Sequence, residues 1–399
     1  MATNDLPNRC GKRVAIIGNE GKIRNAHLKT PSQLFSECGN NTGNLAFWFA
    51  VWRHIGSASV HYIPWNFDPD QVRSDYDVVV FVAANQLNPA WDLGKLADSL
   101  ERCNRPLVVI GLGAQAPDYG TKIELTPGTI RLLKVFSERC VRIGMRGQFS
   151  AEVAMAYGAK NVVVIGCPSN FLNMSEPNLG RVAESRLRAI VRPYRLALNL
   201  DLNGHLKPVI QRSIDWLKEW GGFLIVQSPL SALYLAFAQS ENLSDSELQL
   251  YSQLLLNSNY DEYARRFLYT QFVSFFDVES WINALRGCRV SFGTRIHGNL
   301  LALQAGVPTF IVPHDARTRE LAETIGMPIV EQNDVTRAES LPSLLRQITF
   351  SGEAYDRRRM ELAAEYVSLL RDSGLHVAPE LVQLSTSSPA YRQNALTAS

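Results

Sequence analysis

Residues 288–315 read CRVSFGTRIHGNLLALQAGVPTFIVPHD, and this stretch decides the fold. A short apolar run ends at Gly293, and Thr294 can cap a helix that follows it. Gly306 then ends that helix, and Pro308 opens a second apolar run. The pattern predicts a strand, a tight turn, a helix and another strand, with the polar residues of the turn at the helix N-terminus.

The first turn of this predicted helix has the features of an anion site. Its unpaired N–H groups and partial positive charge favour a negative ligand. Arg295 adds a planar cation suited to carboxylate or phosphate, His297 adds a group that exchanges a proton near neutral pH, and Gly298 leaves room for a ligand. Either polar residue alone is more typical of a structural role. Together, at the carboxyl end of a predicted strand, they indicate a ligand site.

The composition limits the class of protein. The chain has 399 residues and is 46% hydrophobic, which is enough for two ordinary cores and predicts two domains. The net charge is +2, and the sequence has no basic block interleaved with aromatic residues, so no nucleic-acid partner is predicted. The run Arg357-Arg358-Arg359 lies in a helical pattern and is interpreted as a solvated face.

The sequence also bears on location and on metals. Residues 1–13 are polar and lead directly into a strand, so they do not resemble a signal peptide, and no apolar run is long enough to be a transmembrane segment. We therefore expect a cytoplasmic protein. The six cysteines form no CxxC pair, which argues against a disulfide framework and against structural zinc, and no metal site is predicted.

Strands and helices alternate regularly along the first part of the chain. This alternation predicts a parallel sheet with helices on both faces. The polar segment between residue 18 and Cys38 is interpreted as a long loop, and Asn41 or Thr42 either caps the next helix or contacts a ligand. The predicted strands are 13–18, 60–64, 77–83, 107–110, 141–146 and 162–165, and the predicted helices are 45–54, 93–102, 129–140 and 150–157.

A second alternating unit begins after a segment rich in Pro, Asn, Ser and Gly at 173–181. We predict a first domain at 1–175, a second at 176–377 and a polar tail at 378–399. The fold class is α/β, with two doubly wound Rossmann-like domains facing each other across a cleft in a glycosyltransferase-B-like arrangement. That arrangement does not by itself define a reaction.

The chain resembles the polysaccharide pyruvyl transferase family in a composite C-terminal signature, which is far more specific than an Arg-x-His triplet. The signature comprises Thr294-Arg295-Ile296-His297-Gly298, Ala305-Gly306-Val307-Pro308 and His314-Asp315-Ala316-Arg317-Thr318-Arg319-Glu320-Leu321. Further similarity lies in Asn41-x-Gly43, the strand and turn at 108–113, Arg146-Gly147 followed by Ser150, Gly158, and Gly166-Cys167-Pro168-Ser169.

The resemblance implies transfer of a pyruvyl group from phosphoenolpyruvate to sugar hydroxyls, forming a cyclic ketal in polysaccharide or glycan biosynthesis. It implies no cofactor beyond this co-substrate, and an acceptor that is a saccharide or a lipid-linked saccharide. We expect the protein to be cytoplasmic or peripheral to the inner face of the membrane. Arg295 and His297 would be the catalytic pair. The donor side would comprise Thr294, Gly298, Asn299, His314, Asp315, Arg317 and Thr318, and the acceptor side Asn41, Thr42, Gly43, Asn44 and Arg146.

The chain departs from the family pattern at two places. Asn44 stands where the family commonly has Asp, and a further anion-binding Arg expected early in the second domain has no clear match, since Asn199, Asp201 and His205 occur there instead. Two alternatives therefore stay open: a nucleotide-sugar-dependent glycosyltransferase of the same fold, and a non-catalytic saccharide-binding protein. Arg317 and Glu320 are either site residues or an ordinary surface pair.

Overall fold

A computed structural model describes residues 12–55 and 59–387 of the chain. These residues form two parallel β-sheets with helices packed on their faces. Three sequence-based assignments lie outside the described residues, namely the start of the polar N-terminus at 1–11, Gly56 as the residue that closes the predicted helix 45–54, and the part of the tail at 388–399.

The first sheet has six strands in the order β2-β1-β3-β4-β5-β6, and every pair in it is parallel. Its central strands are apolar throughout and fully buried, as expected for strands covered on both faces by helices. The strands are β1 (Val14–Ile17), β2 (Val60–Ile63), β3 (Val78–Val82), β4 (Leu107–Leu112), β5 (Cys140–Met145) and β6 (Val162–Val164).

The second sheet has five parallel strands in the order β11-β10-β7-β8-β9. Its strands are β7 (Leu196–Leu198), β8 (Gly222–Ile225), β9 (Phe272–Val273), β10 (Val290–Gly293) and β11 (Thr309–Ile311). Two parallel sheets, each flanked by helices, confirm the predicted fold class of paired Rossmann-like units.

Eighteen α-helices connect or cover these strands in the described part of the chain. They are α1 (Pro31–Glu37), α2 (Asn44–His54), α3 (Pro69–Asp75), α4 (Gly94–Cys103), α5 (Pro127–Arg139), α6 (Gln148–Ala156), α7 (Leu179–Arg188), α8 (Lys207–Trp220), α9 (Leu230–Ala236), α10 (Asp245–Leu255), α11 (Glu262–Gln271), α12 (Val278–Leu285), α13 (Ile296–Gln304), α14 (Ala316–Ile325), α15 (Gln332–Arg337), α16 (Leu341–Gln347), α17 (Gly352–Asp372) and α18 (Pro379–Thr386).

One hydrophobic core runs between the two sheets. It contains Ile16 and Val80 from the first sheet together with Ala197 and Ile225 from the second, all fully buried. Helix α17 extends this core, because its residues pack on β5 and β6 although the helix follows the second sheet in sequence. Gly144 makes this packing possible, since a Cβ there would lie 2.9 Å from Leu369 Cδ2. The C-terminal helix therefore joins the two halves.

Two local expectations from the sequence are wrong. The segment after β1 is not a continuous loop, because Thr30 and Gln33 form a capping box that starts α1. The expected polar tail also contains a helix, α18, whose Leu381 and Leu384 are buried in the core against α17. An apolar pair three residues apart is a weak signal in sequence, and it gains its meaning only from the neighbouring helix.

The prediction that Arg357, Arg358 and Arg359 form a solvated face is wrong for one of these residues. Arg359 is completely buried, while its neighbours are exposed. Its Nε donates to Asn170 O at 3.0 Å, one terminal nitrogen donates to Glu176 O at 2.9 Å, and the other donates to Asn173 O. Arg359 thus ties α17 to the connection between the two sheets, where three backbone carbonyls would otherwise be buried without donors.

We predict that Arg359→Met lowers the free energy of unfolding by about 3 kcal/mol, because the three carbonyls lose a charged donor and remain buried. Urea unfolding followed by circular dichroism measures this change. Arg357→Met is the matched control, since Arg357 is exposed on the same helix and should change stability by less than about 0.5 kcal/mol. Equal stability of the two variants would contradict the structural role of Arg359.

Candidate active site

The quoted stretch forms the predicted strand, turn and helix, but Thr294 does not cap the helix. Helix α13 begins at Ile296, and Arg295 takes the N-cap position without a side-chain capping bond. Thr294 is fully buried, and its Oγ1 accepts a hydrogen bond from the N–H of Asp201 at 2.7 Å. Its hydroxyl therefore anchors the loop after β7 to the turn after β10.

Gly298 and Asn299 lie behind the turn. A Cβ on Gly298 would lie 1.8 Å from Asn199 Oδ1, so this glycine accommodates a protein side chain, and the expectation that it leaves room for a ligand is wrong. Asn299 Oδ1 accepts from Ser291 Oγ at 2.8 Å, and its Nδ2 donates to Arg295 O at 2.9 Å. This buried amide network holds the backbone of Arg295 in place.

Arg295 is held by two partners on the second half. One terminal nitrogen, Nη2, lies 2.9 Å from Asp201 Oδ1 and 2.6 Å from Ser228 Oγ. Burial opposes ionisation of Asp201, but the hydrogen bond from His314 and the charge of Arg295 outweigh it and lower the pKa of Asp201 well below its usual range. Asp201 is therefore an ionised anchor for Arg295.

His297 lies in the first turn of α13 and faces the first half of the molecule. Its ring centroid is 5.2 Å from that of Phe47, and a Cβ built on Gly43 would lie 3.4 Å from its Nδ1. Burial, followed by the positive charges of Arg146, Arg317 and Arg295, holds the pKa of His297 well below its usual value. The imidazole is therefore neutral at pH 7.

Three arginines that influence His297 come from different parts of the fold. Arg146 follows β5 and is 2% exposed, Arg295 caps α13, and Arg317 lies in the first turn of α14. Among the residues that the structure describes, the Nε atoms of all three, together with His297 Nε2 and Thr42 Oγ1, are buried without a hydrogen-bond partner. Buried donors without acceptors indicate a site for an anion.

The start of α14 completes this group. Asp315 Oδ1 accepts from the N–H and the hydroxyl of Thr318, both at 2.7 Å, which forms a capping box. Its other oxygen lies 3.3 Å from Arg317 Nη2 and accepts from Gln115 Nε2 at 3.2 Å. His314 Nε2 lies 3.5 Å from Asp201 Oδ2, so His314 and Asp315 connect the positions of Arg295 and Arg317.

The alternative of a surface pair between Arg317 and Glu320 is excluded by the partners of both residues. Arg317 binds Asp315, whereas Glu320 accepts from Ser150 N at 2.6 Å and from Ser150 Oγ at 2.7 Å. Burial raises the pKa of Glu320, opposed by the hydrogen bonds from Ser150 and by Arg146. Glu320 thus joins α14 to α6 beside the arginines.

The expected acceptor residues 41–44 form a turn that reaches across to the second half. Thr42 N donates to Gln227 O at 3.1 Å, and a Cβ on Gly43 would lie 2.6 Å from Gln227 Oε1. Asn41 Oδ1 accepts from Gly43 N at 2.9 Å, so its side chain shapes the turn. The turn therefore brings Thr42 and Gly43 to the site and directs Asn41 back onto its own backbone.

Asn44 has a structural reason for replacing an aspartate. Its Nδ2 donates to Cys38 O at 2.9 Å and to Gly39 O at 3.2 Å. An ionised carboxylate only accepts hydrogen bonds and cannot make these contacts. The departure from the family pattern at this position is thus compensated within the turn.

Several residues of the site were not assigned a role from the sequence. Gln227 and Ser228 follow β8, Gln115 follows β4, and Asp201 follows β7. All of them lie beyond the carboxyl ends of parallel strands, which is the edge where such sheets bind ligands. That rule applied to every predicted strand would have found them, because loops beyond the carboxyl ends of both sheets contact each other at this site.

Within 12–55 and 59–387, no helix is both long and apolar enough to cross a membrane. In the same ranges, no group of three His, Cys, Asp or Glu side chains is arranged to hold a metal ion.

We predict that acid destabilises the protein partly through His297. Its pKa is depressed in the folded state, whereas in the unfolded chain it is about 6.5. Below that pH only the unfolded chain takes up the proton, so the free energy of unfolding falls by about 1.4 kcal/mol per pH unit. When the pH is lowered from 7 to 5, the free energy of unfolding should fall in both proteins. The fall should be about 2 kcal/mol smaller in His297→Gln than in the native protein. Urea unfolding at each pH measures this difference.

His54 contributes to the same pH dependence in both proteins, since burial lowers its pKa to about 3. It therefore cancels in the comparison of the native protein with His297→Gln. Identical pH dependence of the two proteins would show that His297 is not held neutral by its surroundings.

Two solved structures of low identity align with most of this chain. The Anabaena protein HepE in complex with UDP-glucose is 12% identical, with a TM-score of 0.46, and the match covers 91% of this chain and 99% of HepE. The Methanocaldococcus jannaschii UDP-GlcNAc 2-epimerase in complex with UDP-GlcNAc and UDP is 11% identical, with a TM-score of 0.44, covering 90% of this chain and 99% of the epimerase. These values are too low to bear on the ligand.

A search of curated proteins finds no match to this sequence. The family model described as polysaccharide pyruvyl transferase, in contrast, matches residues 41–316. This match covers well over half of the chain and includes Arg146, Arg295 and His297. The chain therefore belongs to the polysaccharide pyruvyl transferase family.

Proposed function

We propose that this protein transfers a pyruvyl group from phosphoenolpyruvate to two hydroxyls of a sugar, forming a cyclic ketal. The observation that carries the proposal is a group of three arginines, each with a buried and unpartnered Nε, around the neutral imidazole of His297. Membership of the family supports a transferase, and the chemistry of these four side chains supports this donor.

The three arginines suit the charge of phosphoenolpyruvate, which carries a carboxylate and a phosphate. Guanidinium groups bind both groups in a bidentate manner, and burial strengthens the interaction because little water competes. Among the carboxylates of the described residues, only Asp201 pairs with Arg295 and only Asp315 pairs with Arg317. Arg146 forms no such pair among the described residues, so we assign it to the donor together with Arg295 and Arg317. The family resemblance implies a place for Arg146 on the acceptor side, and this proposal moves it to the donor side.

The proposed reaction forms two C–O bonds and breaks one. A sugar hydroxyl adds to C2 of phosphoenolpyruvate while C3 takes up a proton and becomes a methyl group. The C2–O bond to phosphate then breaks with its electron pair on the phosphate, and the second hydroxyl adds to C2 and loses its proton to the departing phosphate. One inorganic phosphate is released per ketal.

His297 is the proposed proton-transfer residue. A neutral imidazole can accept the proton of the first hydroxyl, and the imidazolium can deliver a proton to C3. The trianionic donor would counter the charges of Arg146, Arg295 and Arg317, which favours the imidazolium once the donor is bound. The low pKa of His297 in the free protein thus suits a base that becomes an acid during the reaction.

We place the acceptor on the side of Thr42 and Gly43. Thr42 Oγ1 is buried without a partner and Gly43 lies against His297, so a sugar hydroxyl approaching there would meet the imidazole. The acceptor is a saccharide or a lipid-linked saccharide, as the resemblance implies. Asn41 and Asn44 then act by shaping the turn, and Thr294, Asn299 and Thr318 act by positioning the donor residues.

We predict that the protein binds phosphoenolpyruvate and that Arg317→Ala weakens this binding by about 100-fold, because a buried charge pair is lost. Isothermal titration calorimetry measures the affinity. Arg319→Ala is the matched control on the same helix, since Arg319 pairs with Glu331 and is more exposed. Arg295→Ala should behave like Arg317→Ala. A native protein that binds UDP-glucose and not phosphoenolpyruvate would instead indicate a nucleotide-sugar-dependent glycosyltransferase.

We predict that His297→Gln retains phosphoenolpyruvate binding but reduces turnover by about 1,000-fold, because it removes the proton-transfer group. The measurement is phosphate release with a panel of saccharides that carry free diols, together with mass spectrometry of the product. Unchanged phosphate release in the variant would exclude the assigned role. Binding of a saccharide by the native protein without any phosphate release would identify a non-catalytic saccharide-binding protein.

A further inference from the structure

Five arginines line a groove at the opposite edge of the second sheet, where β7, β10 and β11 begin. The groove has a volume of about 750 Å³. We call this surface the arginine patch, and it consists of Arg186, Arg192, Arg195, Arg286 and Arg289. The site described above lies at the carboxyl ends of the same strands, so the two regions are separated by the length of the sheet.

The charge of the arginine patch is not compensated. In the described part of the chain, none of its five arginines forms an ion pair with a carboxylate. Arg186 donates to Gly306 O at 2.7 Å, Arg286 donates to Asn283 Oδ1 at 2.8 Å, and Arg289 stacks on the ring of Tyr194 at 4.9 Å. Elsewhere, exposed arginines such as Arg131 bind carboxylates. The patch therefore concentrates positive charge in a chain whose net charge is only +2.

Apolar side chains are exposed among these arginines. Val191 is 83% exposed and Tyr194 is 49% exposed, and both lie in the segment that connects α7 to β7. A neighbouring groove, which shares Ile190 with the groove that the arginines line, contains Leu187, Ile348 and Phe350. Exposed aliphatic groups gain nothing from a soluble polyanion, because they remain in water when it binds. They gain from insertion between lipid headgroups.

We propose that the arginine patch docks the protein on a membrane surface rich in anionic lipids. The arginines would contact lipid phosphates while Val191 and Tyr194 enter the interface. Because the patch lies at the amino ends of the strands, docking there leaves the cleft at the carboxyl ends uncovered. This proposal does not depend on the proposed reaction, and each can fail without the other.

The test is co-sedimentation of the full-length protein with vesicles of phosphatidylglycerol and phosphatidylcholine at low salt. We expect binding that is absent with pure phosphatidylcholine and that weakens at high salt, since the attraction is electrostatic. The double variant Arg192→Gln/Arg289→Gln should bind about 25-fold more weakly, because each arginine near an anionic surface contributes about fivefold to the affinity.

Lys95→Gln/Arg371→Gln is the matched control, because it removes the same charge from exposed positions on α4 and α17. It should bind vesicles like the native protein. All substituted positions in both variants are exposed, and equal thermal melting curves would confirm that folding is intact. Equal loss of binding in both double variants would show a general charge effect and overturn the proposal.

The variant Val191→Ser distinguishes binding to a membrane from binding to a soluble anion. It should weaken vesicle binding and leave the binding of soluble polyphosphate unchanged, since only a membrane offers an apolar layer. Absence of binding to the anionic vesicles would overturn the proposal. Vesicle binding unaffected by Val191→Ser, alongside equally tight binding of polyphosphate at the patch, would also overturn it and identify a soluble polyanion as the partner.

Discussion

The ion pair between Arg295 and Asp201 is the interaction on which the site depends. Two further arginines lie close enough to influence the same histidine, and like charges in a buried space repel each other. Asp201 and Asp315 offset part of that repulsion by binding Arg295 and Arg317, and His314 contacts both carboxylates. Since removing one partner of a buried pair leaves an uncompensated charge, these carboxylates are as necessary to the site as the arginines.

The site also depends on close approach between the two halves. Gly43 of the first half lies against Gln227 of the second, and a methyl group at Gly43 would collide with that side chain. Glu320 and Ser150 form a second connection beside Arg146. The two sheets thus contribute to one buried cluster, in which Arg146 comes from the first half and Arg295, His297 and Arg317 come from the second.

The C-terminal helices maintain this arrangement. Helix α17 returns to the first sheet after the second sheet is complete, and Arg359 binds three carbonyls of the connection between the sheets. The core between the sheets is therefore shared by both halves. The boundary predicted near residue 176 lies between β6 and β7, and α17, which follows it in sequence, packs on β5 and β6, which precede it.

The sequence alone determined the alternation of strands and helices, the parallel sheets, the strand-turn-helix around Arg295 and the family, because buried apolar runs, helix ends and a composite motif are local signals. It could not determine which motif residues face the cleft. Thr294, Gly298 and Asn299 lie behind the turn because Asn199 and Asp201, about a hundred positions earlier, meet them there. The burial of Arg359, the packing of α18 and the neutral state of His297 were likewise decided by tertiary structure, since burial and charge proximity depend on residues that are distant in the chain.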